Sequence, residues 1–300
     1  MMPMAADVIS FANQKGGVGK TLTVSATASI LHSQGYRVLM IDQDAQRNLD
    51  MVAGKNIAIS RRSSDEKSIL SVLNGKCDIR EAIVQTDIGD LVRATNQLYG
   101  WQGPSIITLE ELHNYTNNPA ELYNLLEQRL ESQASENVYL LQNAIKDVLD
   151  DYDYILIDTN PTLTLLTLNS LYAAEFVVIP AFSERSSAEA IIELFDTIRS
   201  VKYYDSWHQL EVAGILMTKY NGRLNACQRH LRKYASLAGK LNTYLFETKI
   251  RASTKASEYV EAQKDIYRYD PKCTTSQDYV SFVKELQTRI ANIKEGWKNG

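Results

Sequence analysis

A chain of 300 residues with 44% hydrophobic composition is long enough for a large core, burying roughly 75% of its extended surface. Its formal net charge of -4 excludes a uniformly basic nucleic-acid coat but leaves room for a local basic patch. Three scattered cysteines, Cys77, Cys227 and Cys273, make neither a disulfide framework nor a metal-ligand spacing, which fits a reducing, cytoplasmic setting.

Met1 to Ala6 carries no basic leader, so a secretory signal is not expected. No stretch reaches the roughly 20 apolar residues of a membrane-spanning helix. Val8 to Ala12 reads as a short buried strand and runs into a Gly-rich segment. Thr21 to Gln34 reads as a helix, with Leu22, Ala26, Ile30 and Leu31 near one stripe, closed by Gly35. Tyr36 to Ile41 is a second, nearly continuous apolar run, the pattern of a parallel strand covered on both faces.

The region 55–140 is predicted to decorate the main domain. Ser60 to Lys67 reads as a loop, Ile69 to Leu73 and Asp78 to Val84 as short helices, and Gly100 to Pro104 as a turn. Ala120 to Gln133 and Asn137 to Leu149 read as further helices. Beyond it, Tyr154 to Ile157, Phe176 to Ile179 and Val212 to Met217 read as strands, with a helical pattern over Glu184 to Tyr203. Strands alternating with helices predict an α/β fold: a doubly wound, mostly parallel sheet with helices on both faces, in one domain over 1–300. Ligands of such sheets sit beyond the carboxyl ends of the strands.

The segment Lys15-Gly16-Gly17-Val18-Gly19-Lys20-Thr21 lies between a strand and a helix. A Gly-rich turn there exposes backbone N–H groups that cradle phosphate at the positive end of the helix, the signature of a P-loop NTPase. Gly16, Gly17, Val18, Gly19, Lys20, Thr21 and Leu22 are the predicted nucleotide contacts. Lys20 supplies a cation to the β- and γ-phosphates, and the Thr21 hydroxyl can sit on Mg²⁺. The spacing departs from a plain GxxxxGK[ST], and Lys15 precedes the paired glycines. Asp42 and Asp158 end strands and are candidates for ordering Mg²⁺, Asp158 through water. Asp44 can orient the attacking water or accept its proton.

These residues resemble the ParA/Soj/MinD family of deviant Walker-type ATPases, and most closely its ParA/Soj branch, which partitions plasmids and chromosomes. Ile41 to Gln46 resembles the family's first switch, Asp151 to Asp158 the run into the second, and Leu165 to Leu171 its continuation. Val178 to Pro180, Thr218 to Asn225 and Tyr269 to Lys272 extend the likeness over most of the chain. The resemblance implies that Lys15 crosses a nucleotide-sandwich homodimer to reach the partner's phosphates, making Lys15, Lys20 and Asp44 the catalytic set. Three departures bear on the hydrolysis rate. Thr159-Asn160 replaces the usual Cys-Pro, Leu22 stands where a second threonine is common, and Ala45 replaces the proline of the first switch. Longer members carry an N-terminal helix-turn-helix, which is expected to be absent here.

Lys219 to Lys255 holds nine Lys/Arg and one acid, Glu247. Arg229, Arg232 and Lys233 share one helical face, which can meet phosphates without reading bases. The resemblance points to Arg223 and Arg251 as DNA contacts, and charge alone adds Lys249 and Lys255. The implied function is an ATP-dependent partition switch with ATP and Mg²⁺ as cofactors. Its implied partners are nonspecific DNA and a centromere-binding protein that stimulates hydrolysis, and its implied setting is nucleoid-associated. Other readings stay open: a MinD-like membrane ATPase, an iron–sulfur reductase, and a nucleotide-binding regulator with little hydrolysis. The apolar spacing of Phe282, Val283, Leu286, Ile290 and Ile293 fits a final packing helix better than a membrane anchor.

Overall fold

The computed structural model describes residues 5–54, 67–104, 136–182, 186–205, 209–252 and 256–299. The predicted loop at Ser60 to Lys67 falls almost wholly outside these residues, and the predicted helix Ala120 to Gln133 wholly so. Seven strands form one sheet: β1 (Asp7–Phe11), β2 (Val38–Asp42), β3 (Ile83–Thr86), β4 (Gly89–Val92), β5 (Tyr154–Asp158), β6 (Phe176–Ala181) and β7 (Glu211–Met217). Their spatial order is β3-β4-β2-β5-β1-β6-β7, and only β3 runs antiparallel to its neighbour.

Strand alternation sends side chains to two separate cores. Ile9, Phe11, Met40, Leu156 and Val178 face one layer, built on α1 (Lys20–Ser33), α2 (Asn48–Val52) and the last two helices, α10 (Ile266–Tyr269) and α11 (Thr274–Asn299). Val8, Leu39, Ile41, Ile155, Ile157 and Val177 face the other. That layer holds α3 (Ile69–Leu73), α4 (Ile79–Ala82), α5 (Leu140–Ile145), α6 (Leu165–Ala173), α7 (Ser186–Tyr204) and α8 (Asn225–Lys240). A further short helix, α9 (Ala256–Glu261), precedes α10. Helices therefore cover both faces, as the apolar strand runs require.

Two expectations change. Asp78 to Val84 is not one helix. Asp78 caps α4 by accepting from the Arg80 N–H, the helix ends at Ala82, and Ile83 and Val84 open β3. Nor is the whole of 55–140 decoration, because β4 pairs in parallel with β2 inside the main sheet. Gly89 is what permits this: its φ is +116°, and a Cβ there would lie 2.7 Å from the Val38 carbonyl oxygen. Asn137 to Leu149 is helical but broken, with 3₁₀ turns on either side of α5.

Helix α1 is also buried beyond the predicted stripe. Thr23 through Leu31 are all buried, while Leu22 is only partly so. Its run of Ala, Ser and Thr lets the sheet and the α10–α11 layer approach from several sides. The apolar stripe of α11 is buried by this packing, and Trp297 stacks on Phe176 at 5.3 Å.

Register places the chemistry. β1 lies between β5 and β6, and Phe11 and Asp42 are both partnered by Asp158. The carboxyl ends of β1, β2 and β5 thus meet where β1 hands over to α1.

Candidate functional site

The loop from Ala12 to Gly19 is held from outside. Asn13 Nδ2 donates to the Pro180 carbonyl at 2.7 Å, and the Lys15 N–H donates to Asn13 Oδ1 at 2.9 Å. Thr218 Oγ1 donates to the Val18 carbonyl at 2.7 Å. Gly17 and Gly19 take positive φ values of 73° and 88°, which side chains rarely adopt. Gly19 is the residue before α1, and no side chain caps that helix. The open N-terminus of α1 faces a 380 Å³ pocket whose wall includes Gly16 to Leu22, Asp44, Pro161 and Lys219. Met51, Val52, Tyr259 and Val260 give the same pocket an apolar side.

Lys20 is buried, with Nζ donating to the Asn13 carbonyl at 3.0 Å and within 3.4 Å of the Lys15 carbonyl. Burial lowers its pKa, and Asp158 and Asp44 pull it back up. Lys15 is half-buried and, among the described residues, does not line the pocket. Asp44 is half-buried in the pocket wall, with its N–H on Asp42 Oδ1 at 2.9 Å and its own Oδ1 accepting from the Gln46 N–H.

Asp42 and Asp158 are both buried, side by side on adjacent strands. Burial raises the Asp42 pKa, and repulsion from Asp158 raises it further. Asp158 is pushed up to about 7 by burial, against the opposing pull of the Thr21 hydroxyl and the Lys20 cation. Three of these four carboxylate oxygens, Asp42 Oδ2 and both of Asp158, lack a well-formed hydrogen bond; the Thr21 hydroxyl is near enough to Asp158 to act on its charge but does not complete one. Orphaned buried carboxylate oxygens beside a threonine hydroxyl fit a hydrated Mg²⁺, which keeps most of its waters and needs few protein ligands. Among the described residues no cluster of three or more His, Cys, Asp or Glu forms a cage for a metal.

The predicted basic residues divide. Arg229, Arg232 and Lys233 are exposed on α8, opposite the buried Cys227, Tyr234 and Ala238. Arg223 is exposed just before that helix, and Lys249 is half-buried. Arg251 is exposed and ion-paired: its Nε and Nη2 donate to Asp278 at 2.9 and 2.6 Å. Lys255 lies outside the described residues. Asn13 and Thr159 were not legible as site residues. Their side chains bond to Pro180 and Phe11, far along the chain, and no local spacing marks them.

The assembled site is a strand–loop–helix phosphate cradle with carboxylates on the two neighbouring strand ends. Residues 6–212 match the family model described as an AAA domain. The chromosome partitioning protein ParA of Myxococcus xanthus is 31% identical over 284 residues, 94% of this chain and 88% of that protein. The chain belongs to the ParA/Soj/MinD family of deviant Walker-type ATPases. It is accordingly an ATP-hydrolysing enzyme whose cofactors are ATP and Mg²⁺. The sporulation initiation inhibitor protein Soj of Bacillus subtilis is 29% identical, covering 93% of this chain and 97% of that one. Cobyrinic acid a,c-diamide synthase from Mycobacterium smegmatis, solved with an ATP analogue and magnesium, is 26% identical with a TM-score of 0.68 over 93% of each chain. An ATP complex of McdA from Cyanothece shares the fold, with 18% identity and a TM-score of 0.72 over 95% of this chain and 97% of that one. Members of this family couple a nucleotide cycle to exchange of partners.

Proposed function

We propose that this chain is a DNA partition ATPase: bound to Mg²⁺ and ATP it pairs with a second copy, the pair holds DNA without sequence preference, and hydrolysis releases it. The observation that carries this reading is the exposed cationic face of α8 on the chain that holds the phosphate pocket. No ion pair among the described residues neutralises Arg229, Arg232 or Lys233. The likeness to ParA over 94% of the chain supports the same reading.

In this reading residues 1–300 act as one domain. The Gly16–Leu22 loop binds phosphate, with Lys20 on the β- and γ-oxygens and Lys15 reaching the second copy's nucleotide. Thr21, Asp42 and Asp158 hold the hydrated metal, and Asp44 orients the attacking water. Pairing two copies doubles the basic face, which makes DNA affinity depend on nucleotide. A centromere-binding protein is the partner that accelerates hydrolysis, and the working place is the nucleoid within the cytoplasm. A membrane-positioning role is the weaker reading, since the apolar stripe of α11 is consumed by packing. No helix among the described residues is long and apolar enough to cross a membrane.

The test is binding to random-sequence DNA without nucleotide and with ADP, ATP or a nonhydrolysable ATP analogue. Tight binding restricted to the two triphosphate states is expected. Equal binding in every state, or binding to anionic liposomes in place of DNA, would overturn the reading.

A further inference from the structure

The segment between β5 and α6 crosses the phosphate pocket. Pro161 lines that pocket, and a Cβ built on Gly16 would lie 3.9 Å from the Pro161 Cβ. The residue before it is Asn160. Unlike the proline that follows it, asparagine places no ring constraint on its own backbone. Here the side chain is bonded instead. Asn160 Nδ2 donates to Thr164 Oγ1 at 3.2 Å, and Asn160 Oδ1 accepts from Thr167 Oγ1 at 3.1 Å. The Thr167 hydroxyl also faces the Thr162 carbonyl at 2.7 Å. Its single proton is therefore shared between acceptors on either side of Pro161. One residue upstream, Thr159 Oγ1 donates to the Phe11 carbonyl at 2.9 Å, tying the same segment to the end of β1.

We propose that Asn160 is a positioning residue of the ATPase site. Its amide, held by Thr164 and Thr167, sets the path of Pro161 and Thr162 over the phosphate loop. Thr167 is buried on α6, so the staple anchors an exposed turn to the core. Asn160 itself is absent from the pocket wall, so it acts through Pro161 and not by contact. Small displacements at a reacting centre are costly in rate, while the rest of the pocket, which the staple does not touch, retains nucleotide affinity.

Steady-state hydrolysis of ATP with Mg²⁺ by the full chain, over a range of ATP concentrations, tests this. Asn160→Ala is expected to lower kcat about tenfold, equivalent to about 1.4 kcal/mol, with KM changed by less than about twofold. Thr167→Val should reproduce that loss and Thr167→Ser should retain normal turnover. The double variant Asn160→Ala/Thr167→Val should be no slower than either single one, because both act through one network. Thermal melting of every variant accompanies the kinetics. An unchanged kcat in Asn160→Ala would overturn the proposal. So would losses that multiply in the double variant, or a kcat loss accompanied by equal changes in KM and a lowered melting temperature.

Discussion

Replacing Arg229, Arg232 and Lys233 together with alanine removes three cations from the exposed face of α8. All three are exposed, and none makes an ion pair among the described residues, so their charge is available to phosphate. Each neutralised phosphate contributes about 0.9 to the slope of log K against log salt on B-DNA. One face therefore accounts for a slope of about 2.7, which between 50 and 200 mM salt corresponds to roughly a 40-fold change in affinity. If both subunits' faces engage, the slope lost is about 5. The assay is fluorescence anisotropy on random-sequence duplex with a nonhydrolysable ATP analogue, titrated across that salt range. Arg251→Ala serves as the internal contrast. Its guanidinium is bonded to Asp278, so its removal should lower stability more than it lowers the salt slope. An unchanged slope in the triple variant, or a larger slope loss from Arg251→Ala, would refute the assignment of the DNA face to α8.

Lys20→Ala should cut ATP hydrolysis by at least about 100-fold in a coupled phosphate-release assay, since it removes the buried cation facing Asp158 and Asp44; a normal rate would move the phosphate site elsewhere. Asp265 caps α10, accepting from the Tyr267 and Arg268 N–H groups, yet burial raises its pKa from 3.8 to about 6. The folded state then holds a proton that the unfolded state has lost, so stability falls as pH rises from 3.8 to about 6 and is flat above. Asp265→Asn keeps the cap and removes this dependence; relative to the native chain it should gain up to about 3 kcal/mol across that window in urea melts at several pH values. Identical pH profiles for the two proteins would show that Asp265 ionises normally. Gly214 lies in β7 where a Cβ would come within 2.8 Å of the Phe246 ring and 2.9 Å of the Tyr244 carbonyl oxygen. Gly214→Ala should therefore destabilise by about 1–3 kcal/mol in the same melts, through overpacking against backbone that cannot yield.

Much of this was legible in the linear chain because its determinants are local. The seven residues from Lys15 to Thr21 carry their own geometry: two left-handed glycines, a buried valine and a helix start need no distant partner to be recognised. Apolar runs at Tyr36 to Ile41 and Tyr154 to Ile157 announced strands covered on both faces; Val38 to Ile41 and Tyr154 to Ile157 are buried, whereas Tyr36 and Arg37 are exposed and precede β2, which begins at Val38. Strands β3 and β4 escaped notice because each has four residues, β3 is half exposed, and Gly89 interrupts the pattern. What only the tertiary structure decided is which distant groups meet. A parallel sheet joins neighbours through long crossovers, so strand adjacency is not sequence adjacency. That is why Asp42 lies beside Asp158, why Asn13 is pinned by Pro180 and Val18 by Thr218, and why Arg251, one more cation in a basic stretch, is paired with Asp278.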